Sequence, residues 1–371
     1  MEAKRVVIVG AGLSGLTCGL KLSKAGFDVH IIEELTYPGG LLASTRIGKE
    51  YLELLPHHLR KTDRALLALA KEAGINDSIE WFDSLWSGRA SRRKVGYFQG
   101  GFAGLINIMI QEITDNGGRI TYSTTVSEIS DRSETLEDGT VVPAFTTSCV
   151  LPNSGRIDID SDYVIFTGSC RTFVNVSHGL PISMNMRDQL MNITYKATIS
   201  LMMVLKRNFS EMYFQKIHSG SEGAVFKRIV SHSNCVGTRG YGGHIVYLVG
   251  ECQISDPLWI ASDEDIMKLY FQAFHKMYPV IKKTDIKSWR LTKTRYAVSE
   301  RYPDQLLTNP LPGLYVCASG LTMHNTSETP ENRMDRVVTL AGQISASLIE
   351  SVTRASEDED PTIITPIVSG V

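Results

Sequence analysis

Gly10, Gly12 and Gly15 stand directly after the apolar run of residues 6–9 and directly before a segment with helical spacing at Leu16, Leu20 and Leu22. The order reads as strand, tight turn and helix. Gly10 permits the turn, Gly12 lets backbone approach a pyrophosphate, and Gly15 lets helix and strand pack closely. Leu13 and Ser14 lie between them, at the helix N-terminus, where free N–H groups and the dipole favour a diphosphate. A second apolar run, residues 29–32, ends at Glu33, eighteen residues past Gly15, with Glu34 next. A carboxylate there accepts from both ribose hydroxyls and repels a 2′-phosphate, which argues against NADP. The chemistry expected is the holding of an adenine dinucleotide. A glycine-rich turn in another α/β protein is the competing reading. The preceding strand, the following helix, Gly26 closing it, the second strand and its terminal acid all oppose it.

Gly39 and Gly40 separate NAD from FAD, although an ordinary loop would also carry such a pair. Six and seven residues after Glu33, they make the chain resemble the two-dinucleotide-fold flavoproteins that include amine oxidases, protoporphyrinogen oxidase and UDP-galactopyranose mutase. In that superfamily the acid-to-GG spacing marks FAD, so the resemblance implies cofactor contacts at Gly39, Gly40, Leu41 and Leu42. Many relatives place an arginine directly after the pair, reaching the phosphates. Leu41 stands there in this chain, and Arg46 is the expected substitute. An acid, a short apolar link and then His57-His58 resemble a bacterial and archaeal branch of protoporphyrinogen-oxidase-like and amine-oxidase-like flavoproteins, in which this segment runs close to the flavin. Adjacent side chains point in different directions, so at most one of the two is expected to face a ring, the equal alternative being that both are core or solvent histidines. A metal site is not expected, because adjacent histidines without a nearby carboxylate or cysteine match no familiar ligand spacing.

The elements that must position these residues follow in order. Residues 62–74 have helical periodicity ending at Gly74, and residues 79–82 read as a short strand. Arg89, Arg92, Arg93 and Lys94 fall in a stretch read as a solvated linker. Relatives carry a long helical insertion here that helps to enclose substrate. This chain lacks it, which bears on both its substrate and its catalytic competence. Gly100-Gly101 and the helix after them resemble the superfamily's second GG-helix motif. By the same resemblance, Val126 contacts adenine through its backbone and residues 162–168, with Thr167, return the chain beneath the FAD. Asp138-Gly139 is a usable hairpin turn. Residues 198–205 and 244–249 alternate as strands of a largely antiparallel sheet, and residues 263–278 read as a helix. Tyr213, Tyr241, His244 and Tyr247 could line a pocket there, or be sheet neighbours with polar tips in water. The resemblance places Arg295 and Tyr296 near the active site, and Ser319, Gly320 and Arg333 around the flavin's ribityl chain and pyrimidine edge.

The 371 residues, 43% of them hydrophobic, suffice for about two domains. The fold class expected is α/β: a Rossmann-like FAD-binding domain with a discontinuous α+β substrate domain on a largely antiparallel sheet. Residues 1–75, 101–172 and 296–351 form the former. Residues 76–100, a segment and linker, and residues 173–295 form the latter, leaving residues 352–371 as a flexible tail. A net charge of -2 gives no reason to expect nucleic acid as a partner. Six cysteines without a CxxC pair, no room for a signal peptide and no run of about 20 apolar residues point to reduced thiols in a cytoplasmic protein with no transmembrane segment. The function implied is FAD-dependent oxidation of a small organic substrate: an amine, a porphyrinogen-like compound or a lipid or sugar intermediate. A hydride passes to the flavin and the electrons go on to oxygen or another acceptor. Two alternatives remain: a redox-neutral UDP-sugar mutase-like isomerase, needing a pocket arginine such as Arg295 or Arg239, and a degenerate, non-catalytic flavin-binding protein.

Overall fold

The computed structural model describes residues 3–87, 91–217, 225–299, 308–318, 321 and 333–359. Five strands make one all-parallel sheet: β1 (Arg5–Val9), β2 (Asp28–Ile32), β7 (Arg119–Thr121), β13 (Tyr163–Phe166) and β19 (Leu314–Val316), in the order β19-β13-β1-β2-β7. Val6, Val7 and Ile8 are all buried. Their uninterrupted apolar run suits a strand covered on both faces. Three helices pack together beside this sheet: α1 (Leu13–Lys24), α3 (Ala103–Asp115) and α9 (Arg333–Glu359). Cys18 Sγ meets Ala341 O at 3.7 Å between α1 and α9. A side sheet, β12-β11-β8, is built from β8 (Thr125–Asp131), β11 (Phe145–Val150) and β12 (Arg156–Ser161), with β9 (Glu134–Thr135) and β10 (Val141–Val142) as a hairpin extension.

The second sheet has seven strands, ordered β18-β14-β17-β16-β15-β5-β6. They are β5 (Ile79–Trp86), β6 (Ser91–Phe98), β14 (Tyr195–Leu205), β15 (Phe214–Lys216), β16 (Arg228–Val230), β17 (His244–Cys252) and β18 (Ile286–Ser299). All pairs are antiparallel except β15 with β5. Strand alternation divides its work. Ile199, Leu201 and Met203 pack on one face with Ile266, Tyr270 and Phe274 of α8 (Asp263–Met277). Each such buried side chain contributes about 1.5–3 kcal/mol. Met202 and Val204 turn to the opposite face, towards Val230, Tyr247 and Trp86.

The fold class agrees with the sequence-based expectation, and several boundaries move. The stretch read as a linker is strand β6, with Arg92 to Lys94 paired to Leu85, Ser84 and Asp83, while Arg89 lies outside the described residues. Residues 173–193 belong with the parallel sheet, because α4 (Cys170–Val176), α5 (Met184–Met191) and the link between them bury Phe173, Leu190 and Leu180 in its core. The boundary set at residue 295 falls inside the continuous strand β18. Residues 352–359, expected as part of a tail, continue helix α9, and residues 360–371 lie outside the described ones. Tyr213, Tyr241 and Tyr247 are buried rather than wet at their tips, and Tyr247 Oη donates to Glu53 O at 2.7 Å.

Candidate active site

A cleft of about 810 Å³ opens at the carboxyl ends of β1 and β2. Its floor is set by local geometry. Gly39 N donates to Ala11 O at 2.8 Å, and Gly39 and Gly40 have φ of +107° and +56°, backbone that a side chain would strain. The GG loop thereby lies against the first turn. Gly12 faces open space: a methyl group on its Cα would meet nothing nearer than Gly40 Cα at 3.8 Å. On Gly15 the same methyl would fall 1.9 Å from Gly10 O. The first turn of α1 contains no acid to repel a phosphate.

Glu33 is buried at the cleft wall. Its Oε2 accepts from Ala11 N at 2.7 Å and its Oε1 from Leu35 N at 2.8 Å. Burial pushes its pKa up and these N–H groups pull it back. Each carboxylate oxygen keeps a further lone pair for a ribose hydroxyl. Leu13, Ser14, Glu34, Leu41, Leu42, Val126 and Thr167 also line the cleft. Thr167 Oγ1 donates to Val9 O at 2.7 Å, tying β13 to the turn. An open cradle beside Gly12, a helix N-terminus and a fixed ribose acceptor together fit an adenine dinucleotide.

The structure does not bring every expected residue here. Arg46 is exposed on β3 (Ser44–Ile47), which pairs with β4 (Glu50–Glu53). Its neighbour Ile47 packs inwards, so strand alternation turns Arg46 away from the cleft. Arg239 is exposed and lines neither cavity. Ser319 and Gly320 lie outside the described residues, as does the side chain of Arg333 at the start of α9. Arg295 and Tyr296 do line the cleft, Arg295 exposed and Tyr296 with its ring 5.4 Å from that of Tyr195.

A second, smaller cavity of about 100 Å³ adjoins the cleft. The two share Leu41, Leu55, His57 and Met334 as walls. The cofactor-side face of the seven-stranded sheet closes the smaller one with Thr198, Arg228, Val230 and Val249. His57 Nδ1 donates to Leu55 O at 2.8 Å, leaving Nε2 as an acceptor on a ring that lines both spaces. Burial holds the pKa of His57 down at about 4, opposed by that hydrogen bond and reinforced by Arg228. His58 lines only the smaller cavity, its ring edge-on to Trp86 and Tyr213, and burial lowers it to about 3. Both rings are neutral at pH 7, suited to accepting or donating hydrogen bonds and not to carrying charge.

Beneath this segment lies a buried acid. Glu53, 1% exposed, accepts from Tyr97 Oη at 2.6 Å and from Phe102 N at 2.7 Å. Burial raises its pKa to about 7, against the pull of Tyr97 and Phe102. It fixes the chain leading to His57 against the turn that opens α3. Glu53 and Arg228 were missed as individuals in the sequence. An acid inside the run Leu52-Glu53-Leu54-Leu55 is a usable signal of a buried, partnered carboxylate. Arg228 sits on a strand of three residues, too short to show a period.

Fold and cleft together define the architecture of a dinucleotide-binding protein with a second, largely antiparallel sheet. Residues 8–73 match the NAD(P)-binding Rossmann-like domain, and residues 80–328 match the flavin-containing amine oxidoreductase domain. The chain belongs to the flavin-containing amine oxidoreductase family, and its cofactor is FAD. An L-amino-acid oxidase of Sistrurus catenatus edwardsii is 31% identical over 127 residues, 34% of this chain and 22% of that protein. A 1-hydroxycarotenoid 3,4-desaturase of Flavobacterium sp. (strain P99-3) is 36% identical over 53 residues, 14% of this chain and 11% of that protein. The matches thus span about a fifth or less of these relatives' length. A crystal structure from Exiguobacterium sp. 255-15, assigned as a protoporphyrinogen oxidase, superposes with a TM-score of 0.74 at 13% identity, covering 95% of this chain and 100% of that one. Putrescine oxidase gives 0.71 at 13%, covering 94% and 99%. At such identity the likeness is one of fold. No helix among the described residues is long and apolar enough to cross a membrane.

Proposed function

We propose that this chain is an FAD-dependent oxidoreductase that oxidises a small organic substrate held in the smaller cavity. The observation that carries the reading is the shared wall. A dinucleotide cradle and an apolar chamber meet at Leu41, Leu55, His57 and Met334, where a reacting carbon and the cofactor would be brought together with little water between them. FAD held there would supply the electron sink for a hydride from the substrate carbon, with oxygen or another acceptor as the final oxidant.

The chain's own residues bind, orient and exclude water. The turn at Gly10 to Gly15, with Gly39 and Gly40, would hold the diphosphate, and Glu33 the ribose. His57 stays neutral and offers Nε2 as an acceptor to a substrate N–H or O–H. The chamber's volume of about 100 Å³ is below the ~150 Å³ of an engineered cavity that takes one benzene ring. This supports a compact reacting group over a whole porphyrinogen.

The test is the visible spectrum of the purified protein, followed by anaerobic mixing with primary amines and amino acids. Yellow protein whose flavin bleaches on mixing supports the proposal. Protein that takes up no FAD overturns it. A bound flavin that no candidate reduces favours the non-catalytic alternative, and turnover of a UDP-sugar only after dithionite reduction favours the isomerase.

A further inference from the structure

The smaller cavity has one formal charge among its described lining residues, the guanidinium of Arg228. No carboxylate lines it among the described residues. Its remaining walls include aliphatic Leu41, Leu55, Val230 and Val249 and aromatic Tyr213 and Phe214. The charge is only partly offset, by an ion pair with Glu251 that a second cation shares. Arg228 Nη2 lies 3.6 Å from Glu251 Oε1, beyond the ~2.7–2.9 Å of a charge-assisted hydrogen bond. Lys227 Nζ holds Glu251 Oε2 at 2.9 Å. Two cations therefore share one acid, leaving positive potential at the cavity wall.

A second observation comes from the opposite side. His58 is 7% exposed, and its Nε2 is buried with no hydrogen-bond partner. Its Nδ1 lies 3.2 Å from Tyr213 Oη. With that hydroxyl donating, Nε2 carries the ring proton and needs an acceptor. A buried polar group left unmatched costs about 1–3 kcal/mol, so an incoming acceptor regains what the protein alone does not supply. Ser200 Oγ, on the same sheet face, is also buried and unpartnered.

We propose that the smaller cavity binds the carboxylate of a substrate with a compact apolar body, Arg228 providing the counter-charge and His58 Nε2–H a neutral donor. The inference rests on the flavoenzyme reading and narrows it. An ammonium group entering without a carboxylate on the same molecule would lose its water beside Arg228 with no acid to receive it. A carboxylate gains both a charge partner and a donor.

The test uses the FAD-loaded full chain, with perturbation of the flavin's visible spectrum as readout. Propionate and isobutyrate, small enough for the chamber, are titrated against isobutyramide and isobutylamine. Saturable perturbation by the acids, absent or much weaker with the amide and amine, is expected. R228Q should weaken acid binding at least roughly tenfold while retaining FAD, and R228K should recover part of it. Isobutylamine or isobutyramide binding as well as isobutyrate overturns the inference, as does yellow protein indifferent to the acids or an unchanged affinity in R228Q. The comparison of acid with amide needs only the wild type, so an R228Q that fails to fold leaves it decisive. A colourless protein overturns the flavoenzyme reading itself, and the inference with it.

Discussion

Glu53 shows how one residue can tie a fold to a pH. Its carboxyl is surrounded by protein, with Tyr97 Oη and Phe102 N as donors and no cation in hydrogen-bond range among the described residues. Unfolded, the group releases its proton near 4.5; folded, near 7. Between these values the folded state holds a proton that the unfolded state has lost. The stability Glu53 contributes is thus full below 4.5 and is lost as pH rises towards 7. E53Q, which resembles the protonated acid, should remove this dependence. We expect the wild-type Tm to fall relative to E53Q across that window, by the equivalent of about 1–3 kcal/mol. Parallel Tm profiles for the two proteins would refute the buried-acid account.

At the scale of elements, the strand–turn–helix of β1 and α1 separates two jobs that glycine does. Gly15 is required by the fold, because a methyl group there collides with the carbonyl of Gly10. Gly12 carries no such constraint from the fold, because a methyl group there points into open cleft, where the proposed diphosphate would lie. G15A should therefore be destabilised even without cofactor, by about 1–3 kcal/mol. G12A should unfold like the wild type when FAD is absent and bind FAD poorly. Thermal unfolding of both variants with and without FAD checks this, and equal loss of apo stability in G12A would contradict it. The local pattern was legible in the sequence because all its contacts lie within a few residues. The basic stretch before Val95 was misread for the opposite reason. Its strand pairing with β5 is satisfied across a hairpin, and three nearby cations mask the apolar signal that Val95 and Tyr97 carry.

For the whole molecule, the buried histidines dominate the acid response. Burial depresses His30 and His57 to about 4 and His58 and His232 to about 3, all from 6.5. Below 6.5 the unfolded chain binds protons that the folded chain refuses, so their stabilisation is lost as pH falls through that range. Glu53 and Glu33, both raised, act with the opposite sign. Four histidines outweigh two acids between 4.5 and 6.5, while above 6.5 Glu53 still titrates, up to about 7. Cofactor-free protein should accordingly show its highest Tm near 6.5, with a steeper decline on the acid side. A Tm that rises steadily as pH falls would exclude this assignment.

The amino-acid sequence by itself determined the cofactor cradle, since residues 6–40 form a strand, a turn, a helix, a strand and a glycine loop whose geometry is short-range. It also determined the two-sheet architecture, through one continuous apolar run and two alternating ones. Only the tertiary structure decided the chamber beside the cofactor. Thr198, Arg228 and Val249 come from separate strands and meet because strand register places them on one face of one sheet, while Leu41 and His58 reach the chamber from segments outside that sheet. A shift of one residue in any of those strands would turn its side chains to α8, and no local pattern near Arg228 fixes that choice.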